Sequence, residues 1–348
     1  MIFRRLIEKI IPSYRLATKL DGKLNRLNNR LSYKLNSLDK KLDSLQDLDN
    51  KIEYLFFLSQ RLKNETELET RKRVFLEIPN AYGRIRDIQL AENYILQRVK
   101  KYADELNIVF FLMGGTALGA VRHNGFIPWD DDIDIGILQE DYFRLKEIID
   151  TDELIKSERY YTLDGGSVVK VKFRFTENFF IDIFPFEFIS TDENNISVFW
   201  EKSQEMTKTY SDSIAGKIHE LGLTEKAKVA PVYTPELDDY ATRLYQNIQT
   251  ELKSDSINNR YLSESIANGY EFRKSRGYWK YEDVFPFRKD EVDFEGQKYS
   301  MINNYIDRMQ VFLGDYWKLP SNISNIHNDE FDENIKEDIN RLKEMGII

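Results

Sequence analysis

MGGTALGAVRHNGFIPWDDDIDIG, Met113 to Gly136, is the stretch on which the fold turns. It follows the apolar run Ile108-Val109-Phe110-Phe111-Leu112, which has the length and composition of a buried strand, and it breaks at Gly114-Gly115-Thr116. It ends in four aspartates, Asp130, Asp131, Asp132 and Asp134. Ile133, Ile135 and Ile137 alternate, which predicts a second strand with its isoleucines on one face and Asp132, Asp134 and Gly136 on the other. Carboxylates two residues apart on one strand face lie about 6.5–7 Å apart at Cα, close enough to converge on one hard cation. A solvated acidic turn is the alternative for a lone D-x-D pattern. Here hydrophobic sequence on both sides sets the acids at the rim of a core. Gly114-Gly115 is consistent with an ordinary turn. Backbone N–H groups freed by two glycines at a strand end also form a phosphate cradle.

Residues 167–185 hold the second informative stretch. Val169, Val171, Phe173 and Phe175 alternate with Lys170, Lys172 and Arg174, so a strand here carries three cations on one face. Their partner is either solvent at a sheet edge or a phosphate-bearing substrate. After Thr176-Glu177-Asn178 the chain continues as Phe179-Phe180-Ile181-Asp182-Ile183-Phe184-Pro185, with one acid among apolar neighbours. Burying such a carboxylate unpaired is costly, which points to a metal or a cation beside Asp182.

The string GGTALGAVRHNGFIPWDDDIDI resembles the signature of the LicD family, the phosphocholine transferases of bacterial surface glycans, to which the fukutin-type transferases are related. IDIFP at 181–185 resembles that family's second motif, and YWKYEDVFPF, VDFEGQKYSM and FLGDYWKLP between 278 and 320 resemble its closing blocks. The resemblance covers roughly residues 80–190 and 278–320. It implies an α+β class, a nucleotidyltransferase-like mixed sheet with flanking helices. It also implies that Asp132 and Asp134 are the metal-binding pair and Asp182 the third acid, holding Mg²⁺ or Mn²⁺; spacing alone does not separate Asp132 and Asp134 from Asp130 and Asp131. Gly114, Gly115 and Thr116 would hold the donor phosphates. Arg122, Trp129, Lys170, Lys172 and Arg174 complete the candidate substrate-binding set. The gap from Thr116 to Asp132 is longer than in minimal nucleotidyltransferases, though it is the one the LicD-type sequence shows.

The reaction implied is transfer of a phospho-alcohol, phosphocholine or similar, from a CDP-activated alcohol donor to a hydroxyl of a surface or capsular glycan. Choline calls for an aromatic cage, for which Trp129, Trp279 and Tyr278 are candidates among 20 Tyr, 22 Phe and 4 Trp. Transfer of a nucleoside monophosphate would use the same acids on the same fold. A non-catalytic scaffold on a coiled coil is the alternative of a different class.

Composition narrows the field further. The 348 residues are 41% hydrophobic and 31% charged, with material for a substantial core. With no cysteine there is no disulfide framework and no thiolate zinc site, and His123, His219 and His327 are too scattered for an imidazole cluster. A net charge of −9 argues against a nucleic-acid partner. No run of apolar residues is long enough to span a bilayer or to serve as a signal-peptide core. The expected location is cytoplasmic.

Three segments follow from patterning. Residues 1–19 place Ile2, Phe3, Leu6, Ile7, Ile10 and Ile11 at helical spacing opposite Arg4, Arg5, Glu8 and Lys9. Residues 1–30 hold eight basic residues against two acids, a local charge of +6 in an acidic protein. Such a basic amphipathic segment suits the anionic inner face of a membrane, where lipid-linked glycan acceptors lie in the pathways the resembling family serves; packing on another subunit is the alternative. Residues 20–75 follow as a coiled-coil stalk. Leu20, Leu24, Leu27, Leu31, Leu35, Leu38, Leu42, Leu45, Leu48, Ile52 and Leu55 recur at a mean spacing of 3.5 residues, the heptad value that predicts a homo-oligomer, with packing back on the catalytic domain as the alternative. The third segment, 76–348, is the catalytic domain. It begins with an amphipathic helix marked by Ile85, Ile88, Ile95, Val99, Tyr102 and Leu106, and it contains a polar, mostly helical insertion at about 190–276.

Overall fold

The computed structural model describes residues 30–32, 34–35, 37–38, 40–41, 45, 48, 50–190, 196–252, 261–284, 292–302, 305, 314–319 and 333–348. The basic segment 1–19 and the stripe leucines at 20, 24, 27 and 42 lie outside the described residues. The chain divides into two units, one ending at Arg71 and the other running from Lys72 to Ile348.

In the first unit every described residue from 30 to 60 is helical. Leu31, Leu35, Leu38, Leu45, Leu48, Ile52 and Leu55 are all exposed, so the narrow apolar stripe lies open to solvent along its described length. Arg71 Nη1 donates to Glu53 at 2.6 Å, and its guanidinium lies 4.5 Å from the Phe57 ring centroid. Helix α1 (Glu67–Glu77) starts on a capping box. Thr66 N–H donates to Glu69 at 2.7 Å and Glu69 N–H to the Thr66 hydroxyl at 3.3 Å.

The second unit is a mixed sheet flanked by helices, as expected. Helix α2 (Arg84–Glu105) turns Ile88, Ala91, Ile95, Leu96, Val99 and Ala103 into the core and leads into strand β1 (Phe110–Leu112). Helix α3 (Gly114–His123), strand β2 (Asp134–Leu138) and helix α4 (Gln139–Ile149) follow. Next come strands β3 (Ile155–Tyr161), β4 (Ser167–Phe173) and β5 (Phe180–Ser190). The Gly-Gly-Thr break is therefore a helix start and not a free turn. Met113 is extended and Gly114 sits at φ +51°, a left-handed value glycine adopts cheaply, so the chain reverses in one residue and Ala117 N–H reaches Met113 O at 2.8 Å. Asp132 likewise falls short of its expected strand. Ladder pairing reaches back only to Ile133, whose carbonyl accepts from Asp182 N–H at 2.8 Å. Before it the loop backbone bonds to α2, with Gln89 Nε2 donating to Asp130 O at 2.8 Å and Ile127 O at 3.3 Å.

Within the stretch 190–276 the described residues form helices α5 (Ile196–Glu220), α6 (Thr224–Ala227), α7 (Pro235–Leu252) and α8 (Tyr270–Arg276). It also returns to the sheet. Strand β6 (Tyr261–Glu264), wholly buried, pairs antiparallel with β5, and the two-residue β7 (Trp279–Lys280) pairs with β6. Helix α9 (Tyr281–Val284), strands β8 (Val292–Phe294) and β9 (Gln297–Met301) and helix α10 (Glu333–Glu344) complete the described elements. The sheet order is β3-β4-β5-β2-β1-β9-β8, with β6 also bonded to β5. Pairs β1/β9 and β2/β5 are parallel and the others antiparallel. Ile133, Ile135, Ile137, Val169, Val171, Ile181 and Ile183 form the main core with α2, α4 and α10. A second core joins α5 and α7 around Tyr161, Tyr210, Ile214, Leu237 and Ile248. No helix among the described residues is long and apolar enough to cross a membrane.

Candidate active site

The parallel register of β2 and β5 decides the site. Asp134 is the Cα partner of Asp182, so the motif acid and the acid of IDIFP stand on adjacent strands, about 4.8 Å apart along the hydrogen-bonding direction. Across the other edge of β5, Asp182 faces Lys170 on β4, whose Nζ lies 3.5 Å from Asp182 Oδ1 and 3.0 Å from the Phe180 ring centroid. Burial pulls Lys170 below the usual lysine range, while Asp182, Glu92 and Asp132 pull it back up. Asp132 is half-buried in the loop just before β2.

Helix α3 begins directly against these acids. A Cβ on Gly114 would stand 2.5 Å from Asp134 Oδ2, and one on Gly115 would stand 2.6 Å from Asp130 Oδ2. The two glycines leave room for carboxylates at the positive end of a helix, where N–H groups lack intrahelical acceptors. Thr116 is buried, and its hydroxyl oxygen accepts Asp134 N–H at 2.8 Å. Its evident work is to pin the start of β2.

An acid that the sequence reading passed over joins them. Glu92 on α2 is 1% exposed, and its Oε2 makes no hydrogen bond. Burial pushes its carboxyl well above the usual range, and Asp132, Asp131, Asp182 and Asp130 push it further in the same direction. The signal was present: Glu92 stands four residues after Ile88 and three before Ile95, on the apolar stripe of a helix whose other stripe positions are core.

The basic strand face does not converge on the site as expected. Lys172, 1% exposed, is held by Glu158 at 2.6 Å and by Glu177 and Tyr160. Against the burial that raises it, hydrogen bonds from Lys156 and Lys172 hold Glu158 below the ordinary carboxylate range. Arg174 lies beyond the end of β4 and donates from Nε to Asp152 O at 2.7 Å. Lys172, buried, takes internal carboxylates, and Arg174, exposed, takes backbone carbonyls, which leaves Lys170 as the one member of the trio beside the aspartates. Arg122 is corrected likewise. It is buried, donates to Tyr316 O at 2.9 Å and lies 4.5 Å from the Phe75 ring centroid. Burial lowers it to about 10, and Asp130 opposes that fall. Trp129 is half-buried with its ring 6.2 Å from His123. Of the other cage candidates, Trp279 packs on Phe186 at 6.1 Å, and Tyr278 stands between Trp200 and Tyr261 at 5.4 and 5.9 Å.

The donor set fits a hard divalent cation. Asp132, Asp134, Asp182 and Glu92 offer only carboxylate oxygens, one of them orphaned and buried, beside a glycine cradle with no Cβ in the way. Among the described residues no three acid or imidazole side chains stand close enough together to hold an ion as they are. Like charges keep apart, and Lys170 draws Asp182 to itself.

Comparison with known proteins places the segment. A family model described as LicD/FKTN/FKRP, nucleotidyltransferase domain, matches residues 107–216, which hold β1 to β5 with Asp132, Asp134 and Asp182; Glu92 lies outside that span. The lipopolysaccharide cholinephosphotransferase LicD of Haemophilus influenzae is 24% identical over 257 residues, 68% of this chain and 92% of that protein. Ribitol 5-phosphate transferase FKRP of Homo sapiens is 31% identical over 81 residues, which are 22% of this chain and 16% of that protein. An uncharacterized protein of Rickettsia prowazekii is 56% identical over 43 residues, 12% of this chain and 16% of its own length.

Proposed function

Through residues 107–216 the chain belongs to the LicD/FKTN/FKRP family, and on that premise we propose that it is a phosphotransferase moving a phospho-alcohol from a CDP-activated donor to a hydroxyl of a glycan. The observation that supports this most directly is the β2–β5 register, which sets Asp134 beside Asp182 at the foot of the Gly114-Gly115 helix start. The similarity to a cholinephosphotransferase and a ribitol 5-phosphate transferase favours transfer of a substituted phosphate over transfer of a nucleotide.

In this reading the acceptor oxygen forms a new bond to the phosphorus bearing the alcohol, the pyrophosphate bond breaks with CMP as the leaving group, and the hydroxyl proton passes to water. Asp132, Asp134 and Asp182 would hold Mg²⁺ or Mn²⁺, which when bound offsets phosphate charge and lowers the pKa of the attacking hydroxyl. The N–H groups of Gly114 and Gly115 face the donor phosphates at the positive end of α3. Lys170 moves its charge between Asp182 and the pyrophosphate. Thr116 holds the start of the strand that carries Asp134, and Arg122 ties the end of α3 to the backbone at Tyr316.

The test offers the full-length protein a panel of CDP-alcohols with a glycan acceptor and Mg²⁺. Release of CMP with the phospho-alcohol on the glycan is the expected result. Pyrophosphate release with nucleotide on the acceptor would establish nucleotidyl transfer instead. The leucine stripe and basic leading segment add a proposal about place: an oligomer held by the stalk, sitting at an anionic membrane surface near a lipid-linked acceptor.

A further inference from the structure

Glu92 is the one acid of the site that does not come from the motif-bearing segment, and its surroundings are hard to explain as packing. It lies on the face of α2 that buries Ile88, Ala91, Ile95 and Val99, where an aliphatic side chain would complete the stripe. It is 1% exposed, and Oε2 has no hydrogen-bond partner. A buried structural carboxylate normally faces a cation or several donors. Lys170 feels the Glu92 charge, yet that ammonium lies 3.5 Å from Asp182 Oδ1. The placement is anchored. One turn earlier on the same face, Gln89 Nε2 bonds to the backbone carbonyls of Asp130 and Ile127, fixing α2 against the loop that delivers the acids.

We infer that Glu92 is a fourth carboxylate of the divalent-cation site, brought by α2 to complete the donor set that Asp132, Asp134 and Asp182 begin. The inference rests on the cation-site reading above. A hard cation seeks six or more oxygens, and three aspartates with two phosphate oxygens leave room for another protein ligand. A buried carboxylate oxygen with no hydrogen-bond partner is unfavourable until a cation reaches it, so what makes Glu92 costly for folding becomes favourable for binding the ion. The rival explanation is a permanently neutral carboxyl used as filler. A glutamine has nearly the same shape and the same neutral charge, so under that explanation Glu92→Gln changes nothing.

The experiment measures Mn²⁺ binding by the full-length protein without donor or acceptor, by electron paramagnetic resonance and by calorimetry, together with metal-free melting curves. The expected result is saturable binding by the unmodified protein, its loss in Asp182→Asn, and at least a tenfold weakening in Glu92→Gln, whose metal-free melting temperature is equal or higher. Glu92→Asp keeps the charge but withdraws it by one methylene, and is expected to fall between the two. Mn²⁺ affinity unchanged in both Glu92 variants while Asp182→Asn loses it overturns the Glu92 assignment alone. No saturable binding by the unmodified protein overturns the cation-site reading and Glu92 with it.

Discussion

Asp182 and Asp130 are both acids at this site, yet their positions give them different work. Asp182 sits in the ladder beside Asp134, whereas Asp130 lies over Gly115 and offsets the buried Arg122. Asn at 132, 134 or 182 is therefore expected to cut transfer more than about 100-fold with the fold intact, and Asp130→Asn to cost less, as read by CMP release and circular dichroism. Near-normal Mg²⁺-dependent turnover in any of the first three removes that residue from the ligand set. The two lysines of β4 separate in the same way. Lys170→Met should raise the donor KM with stability unchanged, while Lys172→Met should lose about 1–3 kcal/mol in urea unfolding, since it strands Glu158. His123 carries a pH signature of its own. Burial, then Arg122, lowers its imidazole to about 4, so the native state binds its proton later than the unfolded chain does. The stability is fully present above the ordinary histidine value and is lost as pH falls toward 4. His123→Phe should flatten that loss by about 1–3 kcal/mol between roughly pH 6.5 and pH 4, measured by urea midpoints.

At the scale of elements, the site is an agreement between the start of α3 and the ends of β2 and β5. The first turn of α3 can approach carboxylates because it carries no Cβ at two successive positions. Gly114→Ala adds a left-handed alanine, about 1–2 kcal/mol, to a contact with Asp134 at 2.5 Å. Gly115→Ala has no φ penalty and meets only the movable Asp130 carboxylate. The expected order is that Gly114→Ala lowers both stability and activity, while Gly115→Ala lowers activity with a smaller change in the urea midpoint. Equal effects on stability would mean that the left-handed backbone at Gly114 is not what holds the turn.

For the whole molecule, the question is where the stalk can be removed. Phe75, in the second unit, is fully buried, with its ring 5.7 Å from His123 and 5.9 Å from Trp317, and because α1 crosses the boundary between the units a cut is placed before that helix. A chain lacking residues 1–66 should keep its turnover of soluble substrates, scatter light as a smaller species and no longer sediment with anionic liposomes. A full-length protein that is monomeric at micromolar concentration and ignores such liposomes would refute the proposed oligomer and its membrane surface together.

Periodicity along the chain was enough to determine which side chains share a face: the isoleucines of β2 against Asp134, the valines of β4 against its lysines, the apolar stripe of α2. Those are local properties, set by the two-residue and 3.6-residue repeats of the backbone. The motif also marked Asp132, Asp134 and Asp182 before any strand order was known. What only the tertiary structure decided is who meets whom. Lys172 and Arg174 share a pattern with Lys170 but find internal acceptors first, and Arg122 holds a distant loop. Asp182 stands beside Asp134 because β5 lies parallel beside β2, and Gln89 holds the helix that carries Glu92 against the loop that carries Asp130. Such pairings join segments far apart in the chain, and the energy that selects them is packing and charge across the sheet, which no local repeat encodes.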